Sequence, residues 1–279
     1  MLVDGEELIE QWSGHPFRQK EGYKEFKGGR TYRIAYEHFD GGSEQETMFR
    51  YADYLNDPAF IEAVRTADAV VVCVGYDWYL ESESWDRPFA LPEGHLRCLE
   101  TILEHTDKAV VVINSGGGVE MAPWIDRTGG VLMAWYQGQQ GGDAIAELLT
   151  GKISPSGKLP FTLEKRWEDN PVYDNYYPNT DQVKEDNPYK RVEYNEGVFV
   201  GYRGYERNGV EPLFPFGFGL SYTTFDYSGL KAEAAGDGEF IVSFDVTNTG
   251  RYDAAEVAQL YVGDVESSVV RPAKELKGY

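Results

Sequence analysis

Two glutamates separated by one residue, Glu81 and Glu83, are candidates for proton-transfer chemistry, and Trp85, Asp86 and Arg87 follow them closely. A carboxyl group becomes a proton donor near neutral pH when an apolar wall or a second carboxylate raises its pKa, and this segment supplies both. A simpler interpretation is that Asp86 and Arg87 pair with each other while both glutamates are solvated. Composition alone leaves the two interpretations open.

A glycine-rich stretch at residues 115–118, Ser-Gly-Gly-Gly, is a second candidate site. Successive glycines before a helix can present backbone N–H groups to a phosphate. However, neither G-x-G-x-x-G nor G-x-x-x-x-G-K-[ST] is met, and the acidic surroundings disfavour a phosphate ligand. A nucleotide-dependent α/β enzyme therefore remains only as an alternative, and the lack of G-x-S-x-G argues against a serine hydrolase elbow.

Strand-like and helix-like patterns alternate around these two segments. Asp57-Pro58 predicts a helix start, with Asp as the cap and Pro at the first helical position. The later segments are strand 69–74, helix 96–103, strand 109–113, strand 131–135 and helix 143–149, which Gly151 ends. This order predicts a parallel sheet flanked by helices, its strands buried on both faces and its ligands bound beyond their carboxyl ends.

The flanking regions indicate β-structure. Asp4-Gly5 predicts a tight turn, and Thr31–Phe39 alternates as in a half-buried strand. Residues 160–225 are irregular and rich in aromatic side chains, which we expect to pack on neighbouring structure or, for a few of them, to stack on sugars. After Phe225, alternating runs predict about four strands of a β-sandwich, whereas a complete one needs about seven.

Charge and composition exclude several classes of protein. Asp and Glu number 47 against 26 Lys and Arg, giving a formal charge of −21, the wrong sign for binding nucleic acid or an anionic membrane. The apolar runs are far shorter than the roughly 20 residues of a membrane-spanning helix.

Cys73 and Cys98 are expected to be core thiols, and the four histidines lack metal-binding spacing, so no metal or cofactor is expected. Residues 1–10 show no secretory signal, and the compartment stays open.

Several motifs in order along the chain resemble glycoside hydrolase family 3, the β-glucosidase and β-xylosidase family. The first is Glu81-Ser-Glu-Ser-Trp-Asp-Arg87 followed by Leu91-Pro-Glu-Gly94. The others, in chain order, are Asn114-Ser-Gly-Gly-Gly-Val-Glu-Met121, Ala134-Trp-Tyr-Gln-Gly-Gln-Gln-Gly-Gly142, Pro155-Ser-Gly-Lys-Leu-Pro160, Pro212-Leu-Phe-Pro-Phe-Gly-Phe-Gly-Leu-Ser-Tyr222 and Arg271-Pro-Ala-Lys-Glu-Leu-Lys-Gly278. Each motif is weak alone, and their order over some 200 residues is specific.

The resemblance implies an α/β fold class with added β domains. We expect residues 1–52 to be the C-terminal part of a lectin-like domain of the anthrax-protective-antigen type, and residues 53–165 to be a parallel-sheet α/β sandwich domain carrying the acid/base loop. Residues 166–225 would then be an aromatic-rich connecting segment, and residues 226–279 a partial fibronectin type III-like sandwich.

The resemblance also implies a function. Family members use a Glu acid/base from this loop and an Asp nucleophile from a preceding barrel, so Glu83 is expected to be the acid/base, with Glu81 as second choice. Trp85, Asp86 and Arg87 are expected to bind the substrate, an oligosaccharide or aryl β-glycoside ending in glucose or xylose. Nothing here reads as eight strand–helix repeats, so the barrel and its nucleophile are expected upstream and the chain alone is expected to be inactive. The alternative is a non-catalytic carbohydrate-binding or docking module that needs a separate barrel subunit.

Overall fold

The computed structural model describes residues 2–8, 24, 26–27, 29–35, 54–78, 80–83, 87–176 and 194–279. The chain divides into two compact units. The first comprises residues 1–119 and 123–135, and the second comprises residues 120–122 and 136–279.

The first unit begins with a small antiparallel sheet. Strands β1 (Leu2–Val3), β2 (Glu6–Glu7) and β3 (Ile34–Ala35) are arranged in the order β2-β1-β3. Asp4 and Gly5 connect β1 to β2 with φ values of 52° and 84°, the conformation of a tight hairpin turn, so the predicted turn is confirmed. The part of the predicted strand beyond Ala35 lies outside the described residues.

Helix α1 (Pro58–Thr66) starts where the sequence predicts it. The Asp57 carboxylate accepts a hydrogen bond from the Ala59 backbone N–H at 2.8 Å, and Pro58 occupies a position where no N–H is needed. Val64 is its buried residue. A short 3₁₀ turn, Tyr54–Asn56, precedes it.

The centre of this unit is a three-stranded parallel sheet. Its strands are β4 (Val70–Gly75), β5 (Ala109–Asn114) and β6 (Gly130–Met133), arranged in that order. Strand β5 lies in the middle, and four of its six side chains are fully buried: Ala109, Val111, Val112 and Ile113. Helix α2 (Glu93–Leu103) connects β4 to β5 and buries Leu99, Ile102 and Leu103. A 3₁₀ turn, Ile125–Arg127, precedes β6.

Strand β4 departs from the prediction that the sheet is buried on both faces. Val72 and Val74 are buried, but Val71 is 49% exposed and Cys73 is exposed. The expectation that Cys73 is a core thiol is therefore wrong. A run of β-branched residues reports strand propensity, whereas burial of a face depends on which other segment covers it.

The described residues of the second unit contain three helices. They are α3 (Gly141–Leu149), α4 (Tyr173–Tyr176) and α5 (Tyr202–Asn208), with a 3₁₀ turn at Trp167–Asp169. Gly151, just beyond α3, has φ of 72° and its N–H donates to the Leu148 carbonyl, so the predicted stop is confirmed. Helix α5 lies in the stretch that the sequence predicts as irregular.

The second unit ends in four antiparallel strands. Strands β7 (Phe225–Gly236) and β8 (Glu239–Asn248) form a hairpin closed by Asp237 and Gly238, both with positive φ. Strand β9 (Leu260–Val262) pairs with β10 (Glu275–Gly278). Side chains fix residues near β9 to the preceding segments: Lys158 forms an ion pair with Glu256 at 3.1 Å, and the Gln259 amide donates to the Gly217 carbonyl at 3.0 Å.

Within the described ranges, no helix combines the length and the apolar character needed to cross a membrane.

Candidate active site

The candidate site lies at the carboxyl edge of the parallel sheet, where β4 and β5 end side by side. Gly75 is paired with Asn114, and the Tyr76 N–H donates to the Asn114 carbonyl at 3.0 Å. A Cβ atom added at Gly75 would lie 2.0 Å from the Asn114 carbonyl oxygen, so only glycine fits here. Strands β4 and β5 both end at this point, and the loops that follow them carry the polar residues that the sequence analysis identifies.

Glu81 is engaged in an ion pair. Its Oε1 accepts a hydrogen bond from Arg87 Nε at 2.8 Å, and its Oε2 accepts one from the Gly116 backbone N–H at 3.0 Å. The two side chains are only 21% and 12% exposed. The Glu81 N–H also donates to the Asp77 carbonyl, so both backbone and side chain of Glu81 are held. Glu81 is therefore built in as a paired anion.

Arg87 connects the loop after β4 to the glycine-rich loop after β5. Its Nη2 donates to the Ser115 hydroxyl at 2.9 Å and to the Gly118 carbonyl at 2.8 Å, while Nη1 donates to the Pro88 carbonyl at 3.0 Å. Arg87 thus makes charge-assisted bonds to groups on both loops.

Tyr76 forms the floor beneath this guanidinium. The Arg87 Cζ atom lies 4.1 Å from the centroid of the Tyr76 ring, a cation–π arrangement. Tyr76 is 7% exposed, and its hydroxyl donates to the Ala90 carbonyl at 2.9 Å. The ring is consequently fixed at both ends, which gives the guanidinium a rigid base.

The glycine-rich loop is organised by Ser115, whose side chain is fully buried. The Ser115 hydroxyl donates to the Gly117 carbonyl at 3.0 Å and accepts from the Gly117 N–H at 3.2 Å. The N–H groups of Gly116 and Gly117 therefore donate to groups of the protein itself. This bonding speaks against the phosphate-binding alternative, which needs those N–H groups aimed at a ligand.

Glu83 differs from Glu81 in its surroundings. It is exposed, and among the described residues its carboxylate has neither an ion-pair partner nor a hydrogen-bond donor. It lies two residues beyond the anchored Glu81 and four residues before the anchored Arg87. A free carboxyl group on a segment held at both ends can approach a ligand and exchange a proton with it. The other predicted site residues, Trp85 and Asp86, lie outside the described residues.

The sequence did not indicate which carboxylate pairs with Arg87, nor the roles of Tyr76 and Ser115. The positions of Tyr76 and Ser115 were one available signal. Each residue directly follows a strand of the predicted sheet, at the edge where the carboxyl ends of the strands meet. A second unpredicted feature is Trp135, two residues beyond β6, which has φ of 57°. A positive φ is uncommon for a residue with a large side chain, and residues with such backbone conformations cluster at functional sites.

Comparison with known proteins decides the family. The model for the glycosyl hydrolase family 3 C-terminal domain matches residues 18–202, which is well over half of the chain. The chain belongs to glycoside hydrolase family 3. A fibronectin type III-like domain model also matches residues 256–279.

The curated relatives that the chain resembles are named β-glucosidases. The chain is 45% identical to thermostable β-glucosidase B of Acetivibrio thermocellus over 222 residues, covering 78% of this chain and 28% of that protein. It is 40% identical to a β-glucosidase of Bacteroides ovatus over 236 residues, covering 81% of this chain and 30% of that protein. The chain thus spans about a third of the length of the curated family 3 relatives it matches.

Solved structures agree with this assignment. The family 3 β-glucosidase of Bifidobacterium adolescentis superposes with a TM-score of 0.74 at 37% identity, covering 83% of this chain and 33% of the other. The β-glucosidase of Kluyveromyces marxianus, solved in complex with glucose, gives a TM-score of 0.70 at 36% identity, covering 78% of this chain and 25% of the other. The expected fold class, an α/β domain with a parallel sheet followed by fibronectin-like antiparallel strands, is confirmed.

Proposed function

We propose that this chain supplies the acid/base carboxyl group of a retaining β-glycosidase, and that Glu83 is this group. The observation that carries the proposal is the difference between the two glutamates of the loop. Glu81 is held as an anion by Arg87 and by a backbone N–H, whereas the exposed Glu83 carboxylate is unpaired among the described residues. A residue that gives and takes a proton in each cycle needs such freedom.

The proposed reaction is a double displacement. A carboxylate nucleophile attacks the anomeric carbon and forms a glycosyl ester, while the Glu83 carboxyl group gives its proton to the glycosidic oxygen as the carbon–oxygen bond breaks. The Glu83 carboxylate then takes a proton from water, which attacks the same carbon and releases both the sugar and the nucleophile. Two inversions leave the configuration retained, and the two carboxyl groups must lie about 5 to 5.5 Å apart.

We place the nucleophile on a barrel domain outside these 279 residues. This placement is supported by the fraction of the relatives' length that the chain spans, about a third, and by the sequence, which does not read as a barrel. The chain by itself is then inactive, because one carboxyl group cannot perform both displacements. Trp85 and Asp86 remain proposed substrate contacts.

The proposed substrates are oligosaccharides or aryl glycosides with a terminal β-linked glucose or xylose. The relatives named above are called β-glucosidases, and one was solved with glucose bound, which supports glucose as the sugar. No metal or cofactor enters the proposed reaction.

The test uses the full-length enzyme, meaning this chain together with the proposed barrel domain. Its substrates are a series of aryl and alkyl β-glucosides whose leaving groups differ in acidity. Glu83→Gln should lower kcat/KM by about 10²- to 10⁴-fold for alkyl or disaccharide substrates, the usual value of general acid catalysis. The loss should be much smaller for dinitrophenyl glucoside, whose leaving group needs no proton. Glu62→Gln, on the exposed side of α1, serves as the matched control and should leave both values unchanged.

A uniform loss across the whole series would contradict the assignment of Glu83. If the unaltered full-length protein binds glucosides but hydrolyses none, the non-catalytic carbohydrate-binding alternative would replace the proposed function.

A further inference from the structure

We infer that Glu81 and Arg87 form a clasp that positions the acid/base glutamate, and that neither residue touches the substrate. This inference rests on the proposed function of Glu83. It assigns Glu81, the second choice for the acid/base, the role of a positioning residue, and it assigns Arg87 the same role in place of the expected substrate contact.

The first argument is where the ion pair lies along the chain. Arg87 Nε and Glu81 Oε1 are joined at 2.8 Å, so this ion pair closes the chain between positions 81 and 87 into a short loop. Glu83 lies inside this loop. Closing five residues with one charged bond removes much of the freedom that an exposed segment would otherwise have.

The second argument is that the clasp is fixed to the sheet. On one side, Glu81 Oε2 accepts from the Gly116 N–H, and on the other, Arg87 Nη2 reaches Ser115 and Gly118. Ser115 directly follows β5, the most buried strand of the sheet. Side-chain hydrogen bonds, and not only the backbone, therefore fix the position of the Glu83 loop relative to the sheet.

The third argument is that little room remains for a different arrangement. The guanidinium lies on the buried Tyr76 ring, and a Cβ atom added at Gly117 would come within 3.3 Å of Arg87 Nη2. With several of its N–H groups used and one face covered, Arg87 has little capacity left for a sugar hydroxyl. The Arg87 N–H groups that could bind a substrate already donate hydrogen bonds within the protein and hold the loop.

The consequence for the reaction follows from the geometry of proton transfer. A misplacement of about 1 Å in a catalytic group costs roughly 100-fold in rate. Loosening the clasp should therefore impair the steps that use Glu83 and spare those that do not.

The test is Glu81→Gln in the full-length enzyme, which removes the charge of the carboxylate but keeps its size. We expect kcat/KM for an alkyl glucoside or cellobiose to fall about 10- to 100-fold, while kcat/KM for dinitrophenyl glucoside changes less than about threefold. Glu100→Gln is the matched control, because it breaks the exposed ion pair between Glu100 and Arg127 in the same unit. It should alter neither value.

A merely structural role would give a different result. If Glu81→Gln lowers both kcat/KM values equally, or lowers neither, the clasp is refuted while Glu83 can still be the acid/base. If Glu81→Gln shows the leaving-group dependence and Glu83→Gln does not, Glu81 is itself the acid/base, and both proposals fail together.

A second variant covers the case in which Glu81→Gln does not fold. Ser115→Ala removes one anchor of Arg87 and leaves the Glu81–Arg87 pair in place. It should lower kcat/KM for the alkyl glucoside about fivefold and leave the dinitrophenyl value unchanged, and an unchanged alkyl value would count against the clasp.

Discussion

Glu81 and Glu83 show how much of a site is decided by the partners of each side chain. The sequence identifies both carboxylates and the arginine that follows them. It does not reveal that Arg87 pairs with Glu81, because two acidic residues before it and one directly beside it are equally available as partners. The choice depends on the buried Ser115 and Tyr76, which come from distant parts of the chain and contact the same guanidinium.

A second carboxyl group, Glu164, is buried with no ion-pair partner among the described residues, and it gives a test of how stability depends on pH. It is 5% exposed, Asn170 and Tyr205 each donate a hydrogen bond to it at 3.2 Å, and Asp169 adds negative charge nearby. Burial is the largest effect and raises the pKa of Glu164 above its ordinary value, despite the two hydrogen bonds.

The sign of the pH effect follows from this direction. The folded state favours the protonated carboxyl group, so its contribution to stability is complete below the unfolded pKa and is lost as pH rises through the raised folded pKa. Stability should fall by up to about 1.4 kcal/mol per pH unit in that window. Glu164→Gln, which keeps the shape and can still bond to Asn170 and Tyr205, should remove this fall.

Urea unfolding of the 279-residue chain between pH 4 and pH 8 measures the effect. Glu168→Gln, which changes a neighbouring carboxylate outside this buried cluster, is the control and should retain the pH dependence of the original chain. Parallel stability curves for the original chain and Glu164→Gln would contradict the account of Glu164.

At the scale of elements, local signals were sufficient for most of the α/β region. The Asp57 cap, the apolar runs that became β4 and β5, and the Gly151 stop each depend on neighbours in sequence, so they could be predicted. The open face of β4 and helix α5 could not. Burial of Val71 and Cys73 depends on what covers them, and α5 is a seven-residue helix whose Gly204 and Tyr205 are buried by tertiary contacts.

Strands β4 and β5 also provide an element-scale prediction. Gly75→Ala should destabilise the parallel sheet by about 3 kcal/mol or more, because its Cβ would overlap the Asn114 carbonyl on the neighbouring strand. Gly130→Ala, at the start of β6, is the matched control, since its Cβ would meet nothing within 4 Å. The midpoint of urea unfolding compares the two variants. An equal midpoint for both would contradict the prediction that the Cβ overlap at position 75 destabilises the sheet.

At the scale of the whole molecule, the hairpin of β7 and β8 presents an apolar face to solvent. Phe240 is 67% exposed, Tyr227 51% and Val246 42%, and Phe244 lies on the same face beside Tyr227. Exposed apolar faces and strand edges favour association. The charge of −21 opposes it, so salt should promote it by screening.

Sedimentation velocity of the 279-residue chain at low and high salt tests this expectation. Phe240→Glu should reduce the salt-promoted association, whereas Ser243→Glu, on the opposite face of the same strand, should not. A chain that stays monomeric at all salt concentrations, or equal association of both variants, would contradict the assignment of this face.

The central claim, that Glu83 is the acid/base, is tested most directly by chemical rescue of Glu83→Ala in the full-length enzyme. With dinitrophenyl β-glucoside, the variant should accumulate the glycosyl ester, because no base activates water. Azide, which needs no base, should then restore turnover and release β-glucosyl azide with retained configuration. If azide has no effect on Glu83→Ala but rescues Glu81→Ala, Glu83 is not the acid/base and the account of this site is wrong.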